Sequence, residues 1–116
     1  MKTVCVRNRT RQSVLAEQAA HATGFFERAR GLLGRPEPAA GEGFVLEPCN
    51  SVHMFFMRYA LDVVFADADA HVTGCVEELR PWRLSKVHWG SRYAIELPVG
   101  TIAATSTQPG DVLEIG

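Results

Sequence analysis

The chain has 116 residues, a formal net charge of −1, and a composition that is 47% hydrophobic and 22% charged. This length is close to that of one domain, and the composition is that of a globular protein and not of a disordered one. The near-neutral charge argues against nucleic-acid and membrane partners, and no apolar run is long enough to span a bilayer. The first residues lack the apolar core of a signal peptide. We therefore expect one cytoplasmic domain over residues 1–116.

The first forty residues predict a hairpin followed by one helix. A β-branched run at 4–6 and an apolar pair at 14–15 flank a polar turn, which is the pattern of a β-hairpin. Apolar residues then recur at helical spacing from Phe25 to Leu33. Thr23 is the predicted N-cap of this helix, and Gly34 stands where its C-terminal stop is expected.

From Gly43 onward the pattern changes to that of β-strands. Strands are predicted at 44–46, 61–66, 71–79, 93–97 and 112–115, with one helical turn at 101–104. The predicted fold class is α+β. We expect a compact β-rich domain, built as a partly open antiparallel barrel or a curled sheet with one main helix packed on it.

Polar functional groups are densest in the segment between Cys49 and Asp62. Cys49 and His53 are four residues apart, so they share a face of either a helix or a strand. Arg58 and Asp62 repeat that spacing with opposite charges, which predicts an ion pair, or else a guanidinium that is free to bind an anion. Methionine and phenylalanine side chains at 54–57 supply apolar wall for a pocket, or simply core.

One hypothesis for this segment is an enzyme. Cys49 would act as the nucleophile and His53 as the base that lowers its pKa. A second hypothesis is a metal site in which Cys49 and His53 are completed by His71, His88 or Cys75. The closely spaced cysteine and histidine pairs of known metal sites are absent, and so are the phosphate- and nucleotide-binding loops. We therefore predict no metal and no cofactor.

The leading hypothesis is a non-enzymatic binding pocket formed by the 49–62 segment. Asn50, His53, Arg58 and Asp62 would hydrogen-bond a small polar or anionic molecule, or a peptide segment, and Trp82 would form a wall. Each of these residues also has an ordinary structural interpretation, as a core side chain or a structural pair. A further alternative is a protein–protein interaction module that acts through an exposed sheet edge.

The blocks at 29–34, 49–58, 61–65, 79–83, 96–101 and 109–111 together resemble a known family. In order and spacing they are similar to the successive motifs of the prokaryotic family catalogued as domain of unknown function 192. The resemblance implies a compact β-rich fold with a helix. It implies no particular activity, because none is established for the family, and it points to Asn50, His53, Arg58 and Asp62.

Overall fold

The computed structural model describes residues 1–116, and its framework is one seven-stranded sheet. The strands in chain order are β1 (Lys2–Asn8), β2 (Ser13–Ala22), β3 (Glu42–Leu46), β4 (Leu61–Ala66), β5 (Val72–Leu79), β6 (Tyr93–Leu97) and β7 (Leu113–Ile115). Two short helices accompany them, α1 (Phe25–Arg30) and α2 (Thr101–Thr105). The order across the sheet is β5-β4-β6-β3-β2-β1-β7, and all neighbours are antiparallel except β2 and β3, which run parallel.

The sheet is strongly curled, so that segments from its two ends are hydrogen-bonded to each other. The backbone N–H of Val72, at the start of β5, donates to the carbonyl of Asp111 at 2.8 Å. The N–H of Leu113, in β7, donates to the carbonyl of Ala70 at 2.8 Å. These bonds join segments that lie at opposite ends of the strand order, so the sheet forms a half-barrel. The predicted α+β class and curled sheet are confirmed.

Each face of the sheet packs against its own apolar cluster. On the first face, β-strand side chains such as Val6 and Ile95 pack with Ile102 of α2. The second face holds Phe44, Phe65 and Met54, among others. The second cluster also includes residues of the 49–60 segment and of the turn after α1. Strand β4 lies between the two clusters, and all six of its residues are buried.

The strands predicted from Gly43 onward agree with the structure to within two residues, whereas β2 extends over Ser13–Ala22 and is much longer than the predicted apolar pair at 14–15. Three further details differ. The main helix was predicted to continue to Leu33, but α1 ends at Arg30, because Gly31 adopts φ 52° and ψ −129°, which a helix does not allow. The N-cap is Gly24 and not Thr23, and the Gly24 N–H donates to the Glu27 carboxylate at 3.1 Å. The sheet contains one parallel pair. Neither helix is long and apolar enough to cross a membrane.

Candidate functional site

A glutamate lies on the buried second face of the sheet. Side chains alternate along β6, so Ile95 and Leu97 enter the first cluster while Ala94 and Glu96 face the second. Glu96 is only 5% exposed, and its Oε1 atom has no hydrogen-bond partner. Burial raises the pKa of this carboxyl from 4.5 to about 7. A buried polar atom without a partner in the protein costs free energy, and folded proteins contain few such atoms.

The Glu96 carboxyl borders a small cavity, which we call the narrow cavity, with a volume of about 80 Å³. Its walls are α1 with the turn that follows it, and the 49–57 segment. They comprise Arg28, Ala29, Arg30, Gly31, Leu32, Leu33, Leu46, Cys49, Ser51, Val52, His53, Phe55, Met57 and Glu96. Glu96 Oε1 lies 3.4 Å from the point that a Cβ on residue 31 would occupy. The chain thus passes over the carboxyl at van der Waals distance, and a glycine is favoured at this position because φ is 52° and ψ is −129°.

Cys49 also lines the narrow cavity, and its thiol is partly buried and hydrogen-bonded to the backbone. The Sγ atom donates to the Ser51 carbonyl at 3.0 Å, and the structure contains no hydrogen bond between Cys49 and His53. Burial is the largest influence on the Cys49 thiol and raises its pKa. The Ser51 hydrogen bond lowers this pKa, the Glu96 charge raises it and Arg28 lowers it, and the net shift is upward. A nucleophilic cysteine needs the opposite shift.

Thiol labelling with iodoacetamide at pH 8 should reflect these environments. Burial raises the pKa of Cys75 to about 11. Because the thiolate is the reactive form, we expect Cys75 to react roughly 100-fold more slowly in the folded chain than in the urea-unfolded chain. Cys49 should also react more slowly when folded. Mass spectrometry of the labelled peptides measures both rates. Faster labelling of Cys49 in the folded chain would instead indicate an activated thiolate and support the enzyme hypothesis.

A second, wider cavity lies next to the narrow one and has a volume of about 470 Å³. We call it the wide cavity. It shares Leu32, Leu33 and Met57 with the narrow cavity as walls, and its own walls include Arg58 and Tyr59. Burial raises the pKa of the Tyr59 hydroxyl, and the charges of Glu96 and Glu37 raise it further. The field of Glu96 thus reaches a residue of the wide cavity.

The structure brings only some of the predicted site residues to these cavities. Cys49 and His53 line the narrow cavity, and the exposed His53 ring stacks on Phe55 with centroids 5.2 Å apart. Arg58 lines the wide cavity, is exposed, and forms no salt bridge. Asn50 and Trp82 line neither cavity.

The predicted ion pair between Arg58 and Asp62 is wrong. Asp62 is 1% exposed on β4, where its carboxylate accepts three backbone N–H groups. The donors are Glu78 at 2.9 Å, Gly100 at 3.1 Å and Ile102 at 3.0 Å. Glu78 belongs to a bulge of β5, and the other two donors lie at the start of α2. Asp62 therefore joins β5 to α2, and its oxygens are occupied within the core.

Sequence reasoning did not single out Glu96. Its strand, Tyr93–Leu97, was predicted correctly, but one glutamate in a strand usually marks a solvent-facing position. The available signal was that Glu96 shares a face with Ala94 in a strand that is otherwise apolar. As for metals, the structure has no group of three or more His, Cys, Asp or Glu side chains arranged to hold an ion.

The protein is thus a curled-sheet α+β domain with a buried carboxyl beneath the turn that follows its first helix. The family model of domain of unknown function 192, described as "Uncharacterized ACR", matches residues 5–115. The chain therefore belongs to this family. It is similar to the UPF0127 protein of Thermococcus sibiricus, at 34% identity over 92% of this chain and 71% of that one. It is also 35% identical to a UPF0127 protein of Pyrococcus furiosus, over 92% of this chain and 94% of the relative.

Solved structures share the fold. A crystal structure of a protein of unknown function from Novosphingobium aromaticivorans superposes with a TM-score of 0.82 at 22% identity, over 97% of this chain and 83% of that one. A protein of Sinorhizobium meliloti superposes with a TM-score of 0.83 at 21% identity, over 97% and 92% of the two chains. At this level of identity the likeness establishes the fold alone.

Proposed function

We propose that this domain binds a small polar molecule without converting it, and that Glu96 anchors the molecule from inside the narrow cavity. The observation that carries the proposal is the Oε1 atom of Glu96, which is buried, borders a cavity and has no protein partner. A ligand that donates a hydrogen bond to this atom would remove the cost of leaving it unsatisfied.

The surroundings of Glu96 favour a neutral donor, such as a hydroxyl or an amide, over a cation. Arg28 and Arg30 both line the narrow cavity, and a cationic ligand would meet their charges. The Arg28 guanidinium is held in place by the carbonyls of Thr23 and Pro48, at 3.3 Å and 3.2 Å. The cavity thus has a carboxyl at its inner end and fixed positive charge in its wall.

The outer part of the ligand would meet His53 and Arg58. The imidazole of His53 lines the narrow cavity, and the guanidinium of Arg58 lines the wide one beside it. Both side chains are exposed, and neither makes a side-chain hydrogen bond within the chain. Arginine binds carboxylates and phosphates in a bidentate manner, so a polar or anionic group fits this outer position.

The test is protein-observed NMR with small probes of defined chemistry. Urea, acetamide and ethylene glycol represent neutral donors, methylammonium represents cations, and acetate represents anions. We expect the neutral donors, at millimolar concentrations, to shift the amide signals of Gly31, Ser51 and Glu96. Binding should strengthen as the pH rises through about 7, because the carboxylate is a better acceptor than the carboxylic acid.

Two variants separate a site effect from a general one. Glu96→Leu should abolish the shifts caused by neutral donors. Glu114→Gln removes an exposed glutamate on β7, at the far edge of the sheet, and should leave those shifts unchanged. Shifts that persist in Glu96→Leu, or a wild-type protein that responds only to methylammonium, would contradict the proposal.

A further inference from the structure

An exposed aromatic patch lies beside the wide cavity. It consists of His53, Phe55, Phe56 and Trp82, and we refer to these four residues as the aromatic patch. The centroids of the Phe56 and Trp82 rings are 4.8 Å apart, and those of Phe55 and Trp82 are 6.1 Å apart. Phe56 is 70% exposed and Trp82 is 58% exposed. Contiguous apolar surface of this kind on a small domain marks an interaction site more often than scattered single residues do.

The backbone holds the patch in place at a conformational cost. Phe56 has φ 65° and Trp82 has φ 69°, so both residues adopt the left-handed conformation that large side chains avoid. Two hydrogen bonds fix their loops together: Trp82 N–H donates to the Met54 carbonyl at 2.7 Å, and Met54 N–H donates to the Arg83 carbonyl at 2.8 Å. Met54 itself is fully buried. The two exposed rings are therefore presented on a fixed base, which lowers the entropic cost of binding.

Positive charge flanks the patch. Arg83 follows Trp82 directly, and Arg58 lies two residues after Phe56 in the wall of the wide cavity. Neither guanidinium has a carboxylate partner within 4.0 Å in the chain, in contrast to Arg80, which lies 3.7 Å from Glu78. Arginine and aromatic side chains are the types that dominate binding energy at protein interfaces.

We propose that the aromatic patch docks an acidic peptide segment of a partner protein that carries an exposed apolar side chain. The free guanidinium groups of Arg58 and Arg83 complement acidic residues on either side of that apolar side chain. Phe56 belongs both to the patch and to the wall of the wide cavity, whose volume of about 470 Å³ accommodates a side chain. An anionic membrane would supply the same charge, but it would not place a side chain in the cavity next to the rings. This surface shares His53 and Arg58 with the outer part of the proposed ligand site, but it does not include the Glu96 carboxyl, and peptide docking on it goes beyond ligand binding in the narrow cavity.

The test is selection from a random peptide library displayed on phage, with the full chain as target. We expect enriched peptides to place an apolar residue between aspartates or glutamates. A synthetic peptide from the selection should bind at least ten-fold more weakly to Phe56→Ser and to Arg58→Glu. Phe25→Ser is the matched control, because it removes another 70% exposed phenylalanine, on α1, and should leave the affinity unchanged. All three side chains are exposed, so these variants should remain folded.

Several results would overturn this proposal. One is the absence of enriched peptides, and another is enrichment of basic ones. Equal weakening in Phe25→Ser would show that the patch has no special role. Sedimentation with phosphatidylglycerol vesicles that depends on Phe56, in the absence of peptide binding, would identify a membrane surface instead. Concentration-dependent dimerisation that is lost in Trp82→Ser would identify a second copy of this chain as the occupant.

Discussion

Replacing Asp62 with alanine should lower the free energy of unfolding by about 4 kcal/mol. The carboxylate accepts hydrogen bonds from the backbone of Glu78, Gly100 and Ile102, and alanine would leave all three donors without an acceptor in the core. Urea denaturation of the variant and the wild type measures the difference.

Arg58→Ala is the control that separates this explanation from the ion pair suggested by the sequence. Arg58 is exposed and unpaired, so its removal should change the free energy of unfolding by less than about 0.5 kcal/mol. Asp62→Asn retains one acceptor oxygen and should lose less stability than Asp62→Ala. A loss in Asp62→Ala that matches the loss in Arg58→Ala would mean that the two side chains act as a pair.

The free energy of unfolding should also depend strongly on pH, through the carboxyl of Glu96. Burial raises the pKa of this carboxyl to about 7 in the folded chain, from 4.5 in the unfolded one. Between these values the folded state holds a proton that the unfolded state has released, so the free energy of unfolding falls as the pH rises. The stability that is present below pH 4.5 should be lost by about pH 7, and the difference of about 2.5 pH units corresponds to roughly 3 kcal/mol.

Glu96→Gln isolates this contribution from those of all other titrating groups. The amide does not titrate, so the difference in unfolding free energy between wild type and variant should decline with pH from 4.5 to 7 and then become constant. Chemical denaturation at a series of pH values provides the curve. A difference that does not change with pH would show that Glu96 has the same pKa in both states, which is incompatible with a buried carboxyl that has no partner in the protein.

Most of the sheet was predictable from the sequence because most strands carry their signal locally, although β2 was predicted only at 14–15 of its Ser13–Ala22 span. Strands β4 and β6 were predicted with their observed bounds, since Leu61–Ala66 is apolar at every position except Asp62 and Tyr93–Leu97 is followed by a proline. The length of α1 was less predictable. Its apolar spacing continues to Leu33, but Phe25 and Phe26 are exposed, and the glycine at 31 turns the chain over Glu96.

The site was only partly predictable because its geometry is tertiary. Of the residues predicted for the site, Cys49, His53 and Arg58 line the two cavities. The carboxylate of Asp62, however, binds Gly100 and Ile102, which follow it by 38 and 40 residues, and the four-residue spacing to Arg58 gives no sign of this. The burial of Glu96 likewise depends on elements distant in the chain. Local sequence patterns therefore indicated a segment that lines both cavities, but not the buried carboxyl on which the proposed site depends.

The most direct test of the central claim is the titration of the Glu96 carboxyl itself. In protein labelled with ¹³C at the glutamate side-chain carboxyl, the Glu96 signal can be identified by its absence in Glu96→Gln and followed from pH 3 to pH 9. We predict a midpoint near 7, as required for a carboxyl that is buried beside a cavity without a partner. A midpoint near the ordinary value of 4.5 would mean that water or a protein group solvates the carboxylate, and would contradict a binding site built on Glu96.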